Sequence, residues 1–281
     1  MRIIFFGTPD DAVPSLRALH AAGHEIVLVV TQPDRRRGRG GTTDPSPVKV
    51  AAEELGLPVR TPERARELRD EVAESGADVG VVVAFGQILP EPLFTAVPLG
   101  FVNVHFSLLP RWRGAAPVER ALLAGDAETG VCIMEIAKGL DTGAVYARAT
   151  THIGGDETAG ELRARLVELG TALLLETLPD LAQIAPEEQA GDPTYADKLT
   201  VEEFELDWSR PASELHRVIR AGNPRPGAWT SVDGKRIKIW RSRVADDGAL
   251  ELLEVQPEGR PRMQFDDWIR GHRGDPFELG S

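Results

Sequence analysis

Asn103, His105 and Asp141 are the residues of this chain whose types and spacing could do chemistry. Asn103-Val104-His105 puts an amide and an imidazole two positions apart, at the end of the apolar run Gly100-Phe101-Val102. On an extended strand, side chains two apart point to one face, so both would aim into the same volume. Ser107-Leu108-Leu109-Pro110 follows at once and would shape a pocket with its backbone. Asp141 lies in Gly139-Leu140-Asp141-Thr142-Gly143, a loop flexible enough to come back and hold the imidazole. Amide, imidazole and carboxylate suit a reaction that must bind an oxyanion and move a proton. Each residue alone also has an ordinary reading: a packed histidine, or an aspartate that forms a turn between glycines. The same-face spacing of Asn103 and His105, beside a loop ending in proline, is what raises them above it.

The elements that must position these groups are legible as alternation. Arg2-Ile3-Ile4-Phe5-Phe6 reads as a buried strand, and 9–22 as a helix with proline at its start and Gly23 at its end. Strands follow over 25–31, 78–84 and 101–105. Near-continuous apolar strands separated by helices predict an α/β, Rossmann-like, mainly parallel sheet with helices on both faces. In such sheets ligands bind beyond the carboxyl ends of the strands, where Asn103, His105 and Ala84-Phe85-Gly86 fall. The first strand ends in Gly7-Thr8-Pro9 and lacks the Gly-x-Gly-x-x-Gly fingerprint, which counts against a dehydrogenase. Beyond Asp141 come a strand over 145–152 and a long helix over 158–177. A loop with Pro186, Gly191 and Pro193 reads as a linker. Past it lie a helix over 213–221 and strands over 229–232, 236–240 and 250–255, with Asp233-Gly234 as a hairpin turn. The expected division is 1–183, a linker 184–204, and a small β-rich domain 205–281.

Composition sets outer bounds. The 281 residues, 42% of them hydrophobic, suit one large domain or two ordinary ones. The apolar start breaks at Gly7, too short for a signal peptide, and no stretch approaches a membrane span. The single cysteine, Cys132, excludes an internal disulfide and is read as core filler in a reducing, cytoplasmic setting. No Cys/His spacing suits a metal, so none is expected. A net charge of -12 argues against a general nucleic-acid coat. Between Ser209 and Arg273, however, 13 Lys and Arg stand against 9 Asp and Glu, a local +4 compatible with an anionic partner.

The run from Asn103 to Pro110, continued by Arg111-Trp112-Arg113-Gly114-Ala115-Ala116-Pro117, resembles the signature of the 10-formyltetrahydrofolate-dependent formyltransferases. The extension is closest to the branch whose acceptor is methionyl-tRNA. Phe6-Gly7-Thr8-Pro9, Thr31-Gln32-Pro33-Asp34-Arg35, Gly38-Arg39-Gly40, Pro45-Ser46-Pro47-Val48-Lys49 and Gly139 to Gly143 agree with that branch. So do Asp207-Trp208-Ser209, Asn223 to Trp229 and Val255-Gln256-Pro257-Glu258-Gly259, so the likeness covers nearly the whole chain.

The resemblance implies that Asn103, His105 and Asp141 form the catalytic trio. It implies that Ser107, Leu108, Leu109 and Pro110 bind folate, and that Phe85, Gly86 and Leu89 belong to the wall of the pterin pocket. It also implies that the loop with Arg35, Arg36, Arg37 and Arg39 reaches the acceptor end of tRNA. The reaction expected is transfer of a formyl group from 10-formyltetrahydrofolate to the amino group of methionine on initiator methionyl-tRNA. It would be carried out without a metal, in the cytoplasm, by a monomer. Asn103 and His105 would donate to the developing oxyanion, and Asp141 would orient His105 and help move the amine's proton.

Two departures from the family pattern stand out. Gly41 and Thr42 follow Gly38-Arg39-Gly40 where family members often carry lysines, while Arg36 and Arg37 add charge before it. In the small domain, the strand through Trp240 runs almost straight into Leu250, so an oligonucleotide-binding (OB-like) β-barrel would be shortened or open. Trp208, Trp229 and Trp240 are read as core rather than base-stacking platforms. The rival reading is an N-formyltransferase for an amino sugar nucleotide or another small amine. A hydrolase releasing formate, and a noncatalytic folate or RNA binder, stand further off.

Overall fold

The computed structural model describes residues 1–36 and 43–271. The chain divides into two compact units. The first unit comprises residues 1–113, 130–150 and 164–194. Its seven-stranded sheet contains β1 (Arg2–Gly7), β2 (Glu25–Val30), β3 (Val59–Arg60), β4 (Val79–Val83), β5 (Phe101–His105), β6 (Glu128–Glu135) and β7 (Val145–His152), in the order β7-β6-β5-β4-β1-β2-β3. β3 to β5 are parallel through β2, β1 and β4, and β6 runs antiparallel to β5. The order from β3 to β5 is that of doubly wound folds, whose ligands sit beyond the strands' carboxyl ends.

β1 and β4 are buried along almost their whole length, which is why their sequences run apolar without alternation. On one face Phe6 meets Phe85 edge-on at 5.1 Å and Phe101 at 5.3 Å. Leu28, Val72, Leu93 and Val97 complete that core. Removing a ring such as that of Phe6 would cost about 3–5 kcal/mol in lost burial and cavity. The helices α1 (Val13–Ala21), α2 (Pro47–Glu54), α3 (Arg69–Glu74) and α4 (Glu91–Phe94) follow successive strands. Ser46 caps α2, its Oγ accepting from Lys49 N–H, with Pro47 at the first helical position.

The second unit comprises residues 114–129, 151–163 and 195–281. It holds α5 (Pro117–Ala124), the first turns of α6 (Ala159–Thr177) and α7 (Ala212–Gly222). Thr158 and Glu161 cap α6 reciprocally: Thr158 N–H and hydroxyl donate to the carboxylate, and Glu161 N–H donates back to Thr158 Oγ1. These bonds, with Arg241 beside them, hold the Glu161 carboxyl down at about 2.

A four-stranded antiparallel sheet completes the unit: β8 (Ala228–Val232), β9 (Lys235–Val244), β10 (Leu250–Pro257) and β11 (Met263–Gln264), in sequential order, followed by α8 (Phe265–Gly271). Asp233 and Gly234 both take positive φ, 50° and 70°, and close the hairpin expected of them. Among the described residues β8 and β11 do not pair, so the shortened barrel expected from the sequence is an open meander. Of the three tryptophans read as core, only Trp240 is buried, at 4% exposure; Trp208 and Trp229 are half-buried. They are held at their edges, Trp208 Nε1 donating to Thr230 and Trp229 Nε1 to the Val201 carbonyl. Among the described residues no helix is long and apolar enough to cross a membrane.

Candidate active site

β5 ends the parallel array, and its pleat sets the site. Phe101, Asn103 and His105 share one face. Phe101 is spent on the core, and the two polar residues follow at about 6.6 Å steps towards the carboxyl end. On the opposite face Val104 packs beside Gly170 of α6. The sequence therefore switches from core to site within one strand face.

His105 is only 5% exposed, so its ring nitrogens need partners. Nε2 lies 3.0 Å from the carbonyl of Trp112, an acceptor only, so Nε2 carries a proton and donates. Nδ1 faces the Asp141 carboxylate at 3.8 Å. That is too long for a direct hydrogen bond. The carboxylate therefore stands beside the imidazole without gripping it, and the Trp112 carbonyl is what fixes the ring. Sequence reasoning gave the orienting role to Asp141 alone and missed Trp112, because a backbone carbonyl leaves no signature in residue types. Asn103 is half-buried, and among the described residues its side-chain amide has no hydrogen-bond partner. Two N–H donors are thus available on the face that His105 shares.

The segment after His105 is shaped by its own hydrogen bonds. Ser107 is fully buried, its hydroxyl donating to the Arg111 carbonyl at 2.6 Å. Leu109 packs with Cys132, Met134 and Val145, and the Leu109–Pro110 peptide is cis. Leu108 and Pro110 are half-buried. Burial pushes the Cys132 thiol up, away from the reactive thiolate form. Trp112 takes a left-handed φ of 63°, and its N–H donates to Thr194 Oγ1 at 2.9 Å. The Arg111 guanidinium lies 4.5 Å over its ring.

The remaining predicted residues divide by environment. The Phe85 and Leu89 side chains pack into the core. The Phe85 carbonyl accepts from Thr8 Oγ1 at 2.9 Å and from Gln32 Nε2 at 2.8 Å. Gly86 has φ 79°, which favours glycine, and a Cβ there would stand 2.5 Å from Gln32 Nε2 and push that amide aside. Gly86 and Gln87 line an open pocket of about 430 Å³ with Gln32, Pro33, Asp34 and Glu63. Ile88, directly after Gln87, is 90% exposed, and Leu140, next to Asp141, is 56% exposed.

Arg35 and Arg36 form a short antiparallel pair with Thr43 and Asp44. Arg37 and Arg39 lie outside the described residues. Among the described residues no three His, Cys, Asp or Glu gather as a metal site.

A family profile described as "Formyl transferase" matches residues 1–178, and one described as "Formyl transferase, C-terminal domain" matches 198–247. A methionyl-tRNA formyltransferase of Paracoccus denitrificans is 50% identical over 290 residues, covering 96% of this chain and 97% of its own length. A methionyl-tRNA formyltransferase from Clostridium thermocellum, solved as a structure, shares the fold with a TM-score of 0.63 at 16% identity, over 92% of this chain and 98% of that one. The sugar 3N-formyl transferase WlaRD does so with a TM-score of 0.69 at 18% identity, over 93% and 99%.

Proposed function

The chain belongs to the formyl transferase family, and we propose that it moves the formyl group of 10-formyltetrahydrofolate onto the amino group of methionine carried by initiator methionyl-tRNA. What supports the acceptor is half-identity along nearly the full length of a methionyl-tRNA formyltransferase. The likeness to sugar formyltransferases is one of fold, at under a fifth identity, and does not favour a sugar acceptor. The reading carries with it a cytoplasmic enzyme acting as a monomer.

The single observation that supports the chemistry is the gathering of the Asn103 amide, the His105 ring and the Asp141 carboxylate at one strand end. The donor brings a carbonyl carbon at the formate oxidation level. Exposed Ile88 and Leu140 offer it apolar surface, and the loops around Gly86 and Ser107 offer backbone polar groups. As the amine attacks, Asn103 donates to the oxygen that gains charge, and it need break no existing bond to do so. With Nε2 fixed by Trp112, Nδ1 is the ring atom of His105 that remains for the reacting groups. The Asp141 carboxylate, 3.8 Å from Nδ1, can take the proton lost by the amine, directly or through a water, and return it to N10 as the bond between the formyl carbon and N10 breaks and tetrahydrofolate leaves. Holding amine and formyl carbon together supplies the rest, about 7–11 kcal/mol in well-aligned systems.

The test offers the purified protein labelled 10-formyltetrahydrofolate with initiator methionyl-tRNA or with amino sugar nucleotides. Label on methionine is expected. Label on a sugar amine, with none on methionyl-tRNA, overturns the acceptor.

A further inference from the structure

We propose that Gln189 is a positioning residue for the transfer, setting the Asp141 loop against the segment that fixes His105. The inference rests on the reading of Asp141 as a reacting group.

The Gln189 amide is used completely. Nε2 has two hydrogens, and they go to the carbonyls of Asp141 and Gly143, each at 2.8 Å. Oε1 accepts from Arg113 Nε at 3.0 Å and from Arg113 Nη2 at 2.6 Å. A flipped amide would set N–H against guanidinium and oxygen against two carbonyls, so only one orientation is possible. Glutamate has no donors for the carbonyls, lysine no acceptor for Arg113, and asparagine is a methylene shorter. Glutamine alone fits both sides.

What Gln189 joins gives the contact its meaning. On one side is the loop that delivers the Asp141 carboxylate. On the other is Arg113, the residue directly after Trp112, whose carbonyl fixes the His105 ring. The segment around Gln189 is itself tied down at both ends. Glu187 exchanges backbone hydrogen bonds with Val145 at 2.8 and 2.9 Å. Thr194 accepts from Trp112 N–H through Oγ1 and from Arg113 N–H through its carbonyl, both at 2.9 Å. A stretch that reads in sequence as a linker thus carries a brace for the Asp141–His105 geometry. That geometry is a 3.8 Å separation with no direct bond, so it has to be imposed from outside.

The test uses the full-length protein. Native enzyme is first offered methionyl-tRNA and amino sugar nucleotides with 10-formyltetrahydrofolate, and all variants are then assayed on the acceptor it formylates. A wrong acceptor and a wrong positioning role are thereby read separately. Gln189→Leu removes the whole amide. Gln189→Glu keeps the shape and the acceptors for Arg113 but loses both donors, and it carries the test should the leucine variant not fold. Both are expected to lower kcat by about 10- to 100-fold, the scale of a sub-ångström to ångström misplacement. KM for donor and acceptor should stay within about threefold. In an Asp141→Asn background the same substitutions should cost nothing further, because Gln189 acts through the carboxylate. Unchanged kcat in Gln189→Glu overturns the proposal. So does a loss that multiplies in full onto that of Asp141→Asn, which would mark a structural staple alone.

Discussion

Gly143→Ala is the perturbation with the clearest steric consequence for this site. A Cβ built on Gly143 would lie 1.9 Å from the carbonyl oxygen of Glu135, where real Cβ contacts essentially never fall below 3.0 Å. Gly143 does not have a positive φ, so the clash is one of space, not of backbone conformation. Glu135 cannot yield easily. Its N–H donates to the Ala144 carbonyl at 2.8 Å, and it pairs with Val102 at the edge of β5. The loop must therefore retreat by roughly 1.5 Å to restore ordinary contact. Asp141 is two residues away, and the Gln189 bonds to Asp141 and Gly143 would stretch with it. Misplacement on that scale costs about 100-fold in rate, while the overpacking itself costs about 1–3 kcal/mol of stability. The assay is single-turnover formyl transfer at saturating donor and acceptor, beside a calorimetric melt. The expected result is a large fall in the rate of transfer in a protein still folded at the assay temperature. A folded Gly143→Ala enzyme with native single-turnover rate would refute the claim that the loop's placement is tightly constrained and matters to the chemistry.

Asn103→Ala should lower kcat by about 10²–10³, the usual loss for one oxyanion donor, with the melting temperature nearly unchanged. Steady-state kinetics near native would remove Asn103 from the site. Burial, with the nearby Arg220 charge, pushes the His216 imidazole below its ordinary value, against the weaker opposing pulls of the Gly155 carbonyl and exposed Asp156. A depressed folded value means that its contribution to stability is complete above the unfolded value of 6.5 and is lost as pH falls through the lower folded one. The native melting temperature should therefore drop between about pH 7 and pH 5 more steeply than that of His216→Gln, and parallel curves would contradict this. Replacing Arg35, Arg36, Arg37 and Arg39 with serine should raise KM for methionyl-tRNA and flatten its dependence on log salt by about 0.7–0.9 for each phosphate that the loop neutralises. An unchanged salt slope would mean that the loop touches no phosphate.

The site was legible where chemistry resides in side chains and local spacing. β5 was read at its observed bounds, because an apolar run ending in Asn103 and His105 carries both the strand and its polar end. β7 was equally clear from 145 to 152. The strand β6 is not identified from sequence, because a short apolar run such as 131–134 does not by itself distinguish strand from helix. α2 and α5 were missed too, each a two-turn helix behind a proline. The small domain's hairpin followed from Asp233-Gly234, whose backbone demands are local. The sheet's openness was anticipated from the short run between Trp240 and Leu250, which holds only one tight turn. The supports of the site were illegible for a different reason. Trp112 acts through its carbonyl, and Gln189 lies 48 residues from the aspartate whose loop it holds. No pattern of residue types records a contact made by backbone across that distance.

The most direct test is the single-turnover rate of formyl transfer from 10-formyltetrahydrofolate to initiator methionyl-tRNA, measured for the native protein and for Asp141→Asn. The isosteric change keeps the loop and removes only the charge that can take the amine's proton. The native protein is expected to formylate methionine, and the variant to do so about 10²–10⁴ times more slowly, with binding of both substrates retained. Equal rates in the two proteins, or no formyl-methionine from the native one, would contradict the account.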